Sequence, residues 1–420
     1  MASKKQPYYI LLLLILAGEA VFILPFVLAR VFRPTVLEVF NLTNWQLGIC
    51  FSIYGIVALL SYLFGGPLAD RFEPRKLMSL SLLATAAGGL YYATFPDYNG
   101  LKLLYGFWGF TTIFLFWAAM IKATRIWGGN NRQGRAFGFL DGGRGLVGAS
   151  FGLIGVIVFA LLLPEEVGTA NIGERTEAFK QVIWVSTAII AATGIAVYFL
   201  LKPQSEKVSD ENLHQTIGKK EIRQVLKLPA VWLLMVIILC AYTGYKTTDV
   251  FSLYATDVML MNEVDAAKVG TFLLYIRPVT GVLIGFLADW TRGALLLVWG
   301  FIIMLIGSVL FASGVFGPTT VLFFFFGLLV TAIGVYAARV LYFAVLREGN
   351  IPLALTGTAV GLISVIGYTP DIFAGPAMGY LLDASPGETG HQHVFWMLAG
   401  FSVIGLLAAL RFQRISKKNT

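Results

Sequence analysis

The chain has 420 residues, of which 57% are hydrophobic and only 13% charged, and its mean hydropathy is +0.78. A soluble domain carries roughly 45–50% apolar and about 25% charged residues, so the balance excludes an ordinary soluble or disordered chain and points to an integral, multi-pass membrane protein. The net charge of +8 does not indicate a nucleic-acid partner, because the basic residues lie in short segments between apolar runs, where they report topology.

The first run, "YYILLLLILAGEAVFILPFVLA", follows Lys4 and Lys5 and exceeds the apolar core of a cleaved signal, which predicts a retained first helix. The runs that follow are too long for soluble core helices and too continuous for barrel strands. Hydropathy predicts spans over 7–31, 45–69, 76–95, 101–125, 135–163 and 179–202, then 228–256, 266–290, 294–316, 319–346, 353–383 and 392–412. The expected fold class is an all-α membrane protein of twelve transmembrane helices in two pseudo-symmetric six-helix bundles. Cys50 and Cys240 both fall in apolar runs, so no disulfide framework or metal-ligand spacing is available.

With both termini in the cytoplasm, most of the 31 basic residues fall on the cytoplasmic side, among them Arg71, Arg75, Lys76, Arg132, Arg135, Lys219, Lys220, Arg223, Lys417 and Lys418. Arg30, Arg33, Lys102, Arg175, Lys180 and Lys268 fall outside, and the asymmetry sets that orientation in a cell (inner or plasma) membrane. The longest hydrophilic segment begins "PQSEKVSDENLHQTIGKKEIRQ" and reads as a solvated linker. The expected organisation is therefore a bundle over 1–202, a cytoplasmic linker over 203–227 and a second bundle over 228–420.

The two bundles carry related sequence. Gly66-x-Leu68-Ala69-Asp70 at the end of the second span recurs as Gly285-x-Leu287-Ala288-Asp289 at the end of the eighth, and "RAFGFL" opening the fifth is echoed by "TAVGLI" opening the eleventh. A repeat at half-chain distance implies homologous bundles.

The loop "GGPLADRFEPRKL" resembles the signature loop of the major facilitator superfamily through Gly66, Asp70, Arg71, Arg75 and Lys76, with Glu73 where glycine is usual and Pro74 in position to make the turn. With the degenerate copy at Gly285 to Asp289, the span count and the central linker, the resemblance covers essentially the whole chain. It implies a secondary transporter, working as a monomer, whose signature loop latches the outward-open state. The alternative for these charges is plain topology. Within the superfamily, "DRFEPR" and "IKATRIWGGNNRQGRAFGFLDGGRG" are similar to the corresponding parts of organophosphate and related organic-anion transporters, which would put Arg144 near the substrate. The chain departs from them in lacking a central arginine in the first span and in having Lys246 in the seventh.

A charge near the bilayer centre costs roughly 2.5–3.5 kcal/mol on insertion scales, so each asks for a partner, a wet cavity or a function. Glu19 lies mid-span in the first helix, Lys122 near the inner end of the fourth, and Asp141 with Arg144 in the inner part of the fifth. Lys246 and Asp249 lie in the outer third of the seventh helix, Arg277 mid-span in the eighth, Arg339 in the inner part of the tenth and Asp371 past the middle of the eleventh.

Asp141 and Arg144, three residues apart, share a helix face and can pair, while Gly138, Gly142, Gly145 and Gly152 form a separate stripe suited to close packing. The pair is either a structural bridge toward Lys122 or Arg339, or a substrate or gating contact. Arg277, beside Pro278, is the expected anchor for a carboxylate or phosphate, its alternative being a pair with Asp371 or Glu19. Lys122, Lys246, Tyr245 and Tyr275 are further substrate candidates. Glu19 is the expected proton-coupling carboxyl, with Asp371 as a second coupling site or the partner of Arg277. Gating is expected of Gly66, Asp70, Arg71, Arg75, Asp141, Asp289 and Arg339.

The buried cations outnumber the buried carboxylates, which favours a small organic anion moved by alternating access and driven by an ion, expected to be the proton, or by a counter-substrate. A proton-coupled carrier of a neutral sugar or drug is the alternative. No HExxH or P-loop pattern is present, so no cofactor, metal or enzyme activity is expected.

Overall fold

In the computed structural model the described residues are 7–128, 133–164, 170–201, 219–342, 344–346, 348–352 and 356–418, and they form helices joined by short turns. The long helices are α1 (Tyr8–Ala20), α2 (Asn44–Arg71), α3 (Pro74–Tyr92), α4 (Tyr98–Gly128), α5 (Gln133–Leu162) and α6 (Ile172–Leu200). They continue as α7 (Pro229–Asp257), α8 (Glu263–Trp290), α9 (Gly293–Ala312), α10 (Val321–Leu341), α11a (Thr356–Gly367), α11b (Pro370–Ala384) and α12 (Glu388–Lys418). Among the described residues, nine helices are long and apolar enough to cross a membrane, and α1 with its continuation to Val31, bent by 43°, makes a tenth. The remaining two predicted spans coincide with α3, which is rich in small and polar residues, and with α11, which breaks before Pro370.

Local sequence explains the boundaries. Thr43 and Gln46 form a reciprocal capping box at the start of α2, and Asn171 with Glu174 does the same at α6, satisfying N–H groups that a helix start otherwise leaves bare. Pro74, Pro229 and Pro370 each occupy the first turn of a helix, where the missing N–H costs nothing. Glu73 and Pro74 thus make the turn between α2 and α3 without the usual glycine.

Two helices depart from α geometry. After α1 the chain runs through a π-helical segment, Ile23–Val27, that contains Pro25; proline lacks an N–H and clashes with the preceding turn, which accounts for the bend. In α4 the π segment is Phe110–Trp117. There Thr112 and Thr111 donate to the Trp108 carbonyl at 2.7 and 3.3 Å, and Ser81 donates to Thr111 O at 2.7 Å. Side-chain hydroxyls thereby supplement the disturbed backbone ladder.

Packing divides the chain into two compact units. The first comprises Met1–Gln204, Asp249–Pro278 and Gly375–Asp383; the second comprises Ser205–Thr248, Val279–Ala374 and Ala384–Thr420. The first unit buries a continuous core that includes Trp108, Phe116, Phe159 and Phe179. In the second, α9 packs on α10 and α12, with a glycine approach of Gly300 to the Ala338 backbone.

Candidate functional site

The sequence places Asp141 and Arg144 on one face of α5, yet the structure sends them to different helices. Arg144 Nε lies 3.2 Å from Glu19 Oε2 on α1, and Asp141 Oδ1 accepts from Arg277 Nη2 on α8 at 3.3 Å. The physical reason is burial. Glu19 and Arg277 are almost fully enclosed, and an uncompensated charge there costs several kcal/mol, whereas the Asp141 side chain is 63% exposed. The pairing of Arg277 with Glu19 is accordingly not formed.

The glycines of α5 set the spacing of this site. A Cβ on Gly148 would stand 2.8 Å from Glu19 Oε1, and one on Gly145 would stand 3.1 Å from Pro278 Cδ. Gly152 meets Thr271 and Leu274 of α8, while a Cβ on Gly142 meets nothing within 4 Å. The expected packing stripe is therefore used by Gly145 and Gly152 and not by Gly142; Gly138 lies outside the residues whose side chains are described.

The Arg144 guanidinium carbon is 5.4 Å from the ring centroids of both Phe22 and Trp117, within cation–π range. Phe22 directly precedes the first π segment and Trp117 closes the second, and π distortions recur at functional sites. Neither Arg144 Nε nor Glu19 Oε2 makes a hydrogen bond of acceptable geometry. The ion pair is a close charge contact that leaves donors unspent. Phe22 carries no sequence signal beyond its spacing of three from Glu19.

The second unit holds its own charged cluster. Lys246 Nζ is 3.2 Å from Asp371 Oδ1, and the Tyr242 hydroxyl contacts both Asp371 oxygens, at 3.0 and 3.1 Å. Tyr242 packs on Tyr245 and Tyr368, Tyr368 shares a 3.2 Å hydroxyl contact with Tyr342, and the Arg339 guanidinium sits 3.8 Å above the Tyr245 ring. Asp371 is therefore the partner of Lys246. Asp249, three residues further along the chain, pairs with Arg30 in the first unit.

Other candidates are placed elsewhere. Lys122 donates to the Ala69 carbonyl at 2.7 Å, so it serves the C-terminal turn of α2, where a cation meets the negative end of the helix. Tyr275 is half-buried against the core of the first unit. Arg71 is exposed, and Arg75 donates to Glu73 at 2.8 Å with its guanidinium 5.7 Å from the Tyr198 ring. That hydrogen bond, helped by Lys76, holds the Glu73 carboxyl below its ordinary value of 4.5. Gly66, Asp70 and Asp289 lie in helices, but outside the residues whose side chains are described. Among the described residues no cluster of metal-ligating side chains occurs.

Comparison with known proteins agrees with this architecture. The family model described as Major Facilitator Superfamily matches residues 10–375. The chain is similar to the inner membrane protein YihN of Escherichia coli K12, 29% identical across 100% of this chain and 98% of the relative. It is also similar to the inner membrane protein YqcE of the same organism, 25% identical over 92% of this chain and 91% of the relative. Among solved structures, a bacterial homologue of the human lysosomal transporter Spinster, in an inward-facing and occupied conformation, superposes with a TM-score of 0.77 at 16% identity, over 99% of this chain and 98% of that one.

Proposed function

Because the chain belongs to the Major Facilitator Superfamily, we propose that it is a secondary transporter that moves a small organic anion, such as a sugar phosphate or carboxylate, by alternating access. The bundle over 1–202 rocks against that over 228–420 about the linker 203–227, in an inner or plasma membrane with both termini cytoplasmic. A proton or a counter-substrate drives it, and the monomer is the working unit.

One observation carries the anion reading. A guanidinium has five N–H donors; buried Arg277 directs one, at 3.3 Å, to Asp141, and half-buried Arg144 rests against Glu19 with its Nε making no hydrogen bond. Donors in a low-dielectric site suit a carboxylate or phosphate oxygen, which they can bind in pairs. Lys246 and Tyr245 extend the same chemistry in the second unit, Lys122 and Tyr275 its margins, and Glu19 and Asp371 are the carboxyls through which a proton would be coupled. Gly66, Asp70, Arg71, Arg75, Asp141, Asp289 and Arg339 act in the conformational change.

A second reading has its own observation. Arg144 and Arg277 each face one carboxylate, and a neutral pair of pairs suits proton-coupled carriage of a neutral sugar or drug. Thermal stabilisation of the purified protein by phosphorylated sugars, carboxylates, sulfonates, neutral sugars and cationic drugs separates the two, because a ligand of the folded state raises its apparent stability. The anion reading expects an anion to stabilise the wild type and not Arg277→Ala. Stabilisation of both by neutral compounds alone overturns it.

A further inference from the structure

Arg144 stands at one end of a row of aromatic rings inside the first unit. Its guanidinium carbon is 5.4 Å from the centroids of Phe22 and Trp117, and those two rings meet edge-on at 6.3 Å. Phe22 leads to Phe26 at 6.4 Å, and Phe26 meets Phe51 at 5.7 Å and Tyr54 at 4.6 Å. Five rings from the first span, α2 and α4 thus run away from one cation. Phe51 and Tyr54 are buried, whereas Phe22, Phe26 and Trp117, the rings on the Arg144 side, are only half-buried.

The polar groups behind this row are spent within the protein. The Tyr54 and Thr112 hydroxyls share a 2.6 Å contact, and Thr112 donates to the Trp108 carbonyl at 2.7 Å. Around the arginine stem the surface is apolar as well: a Cβ on Gly18 would stand 3.1 Å from Arg144 Cδ and 2.9 Å from the sulfur of buried Met120. The charged neighbour is Glu19, which rests against Nε and leaves the other edge of the guanidinium, with its paired N–H donors, for a second carboxylate.

A solute seated here meets N–H donors at its head and ring faces along its body. The hydroxyls of a sugar would give up water against those rings without regaining their hydrogen bonds, whereas a flat apolar ring has none to lose and gains offset or edge-on contacts. We propose that the transported anion is an aromatic carboxylate, its carboxylate on Arg144 and its ring against Phe22, Phe26 and Trp117. The proposal rests on the anion reading and selects one class within it.

The test compares thermal stabilisation of the purified protein by benzoate, gluconate, inorganic phosphate and neutral benzyl alcohol, titrated separately. An aromatic contact inside a site is worth about two- to tenfold in affinity beyond the area it buries. Benzoate is therefore expected to act at concentrations about tenfold or more below those of gluconate, and benzyl alcohol to do nothing, since it lacks the charge for Arg144. Trp117→Ala is expected to abolish the preference of benzoate over gluconate, and Trp117→Phe to restore most of it.

Gluconate or phosphate acting as well as benzoate overturns the aromatic site and leaves the anion reading standing. Stabilisation by benzyl alcohol equal to that by benzoate, or by none of the anions, overturns both. A preference for benzoate that survives Trp117→Ala overturns the placement of the ring. If Trp117→Ala does not fold, Phe22→Leu decides, because it keeps an apolar side chain and removes the ring; an undiminished preference there overturns the proposal.

Discussion

Replacing Gly148 and Gly142 of α5 with alanine, one at a time, isolates the close approach of Glu19. Glycine to alanine inside a helix is worth about 0.5–1 kcal/mol through backbone entropy, and both positions gain it. Only at Gly148 does the new methyl meet an obstacle, with Glu19 Oε1 at 2.8 Å, Cγ at 3.3 Å and Cδ at 3.4 Å; at Gly142 nothing lies within 4 Å. Glu19 cannot retreat freely, because its other oxygen lies 3.2 Å from Arg144 Nε.

Overpacking of this kind costs about 1–3 kcal/mol. Since the helix gain is common to both variants, their difference reads that term alone. At an unfolding entropy of about 2.1 cal/mol/K per residue, one kcal/mol corresponds to about 1 °C for a chain of this length. Gly142→Ala is expected to melt above the wild type and Gly148→Ala about 1–3 °C below Gly142→Ala, followed by intrinsic fluorescence in detergent. Equal melting temperatures would refute the packing of α1 on α5 through Glu19.

Tyr242→Phe removes a hydroxyl from Asp371 and is expected to cost about 1.5–3 kcal/mol, measured as a lowered Tm; an unchanged Tm argues against the contact. Thr43→Ala breaks the capping box of α2 and is expected to cost about 0.5–2 kcal/mol, with Thr43→Ser recovering most of it. Glu73 has a lowered carboxyl pKa in the folded protein, first through its hydrogen bond from Arg75. Its contribution is present above pH 4.5 and is lost as pH falls through the lowered value. The Tm difference between wild type and Glu73→Gln should therefore shrink on acidification, and a difference that grows would contradict the assignment.

The sequence by itself determined the class and most of the helices. A continuous apolar run that must satisfy its backbone groups without water has only the helix available, and the boundaries are written locally in Thr43, Pro74, Asn171 and Pro229. The same physics made the buried charges visible, because an ionisable residue stands out against its apolar neighbours. Their pairing was another matter.

Asp141 and Arg144 are three residues apart and share a face, which is all that helical spacing can say. Which of the many charges within reach becomes a partner depends on the relative placement of helices far apart in the chain. Thus Arg144 meets Glu19, Asp141 meets Arg277, Lys246 meets Asp371, and Asp249 meets Arg30. Each of these pairs contains at least one charge largely removed from water, which asks for a partner wherever the helices bring one within reach, and burial is a property that only the tertiary structure assigns.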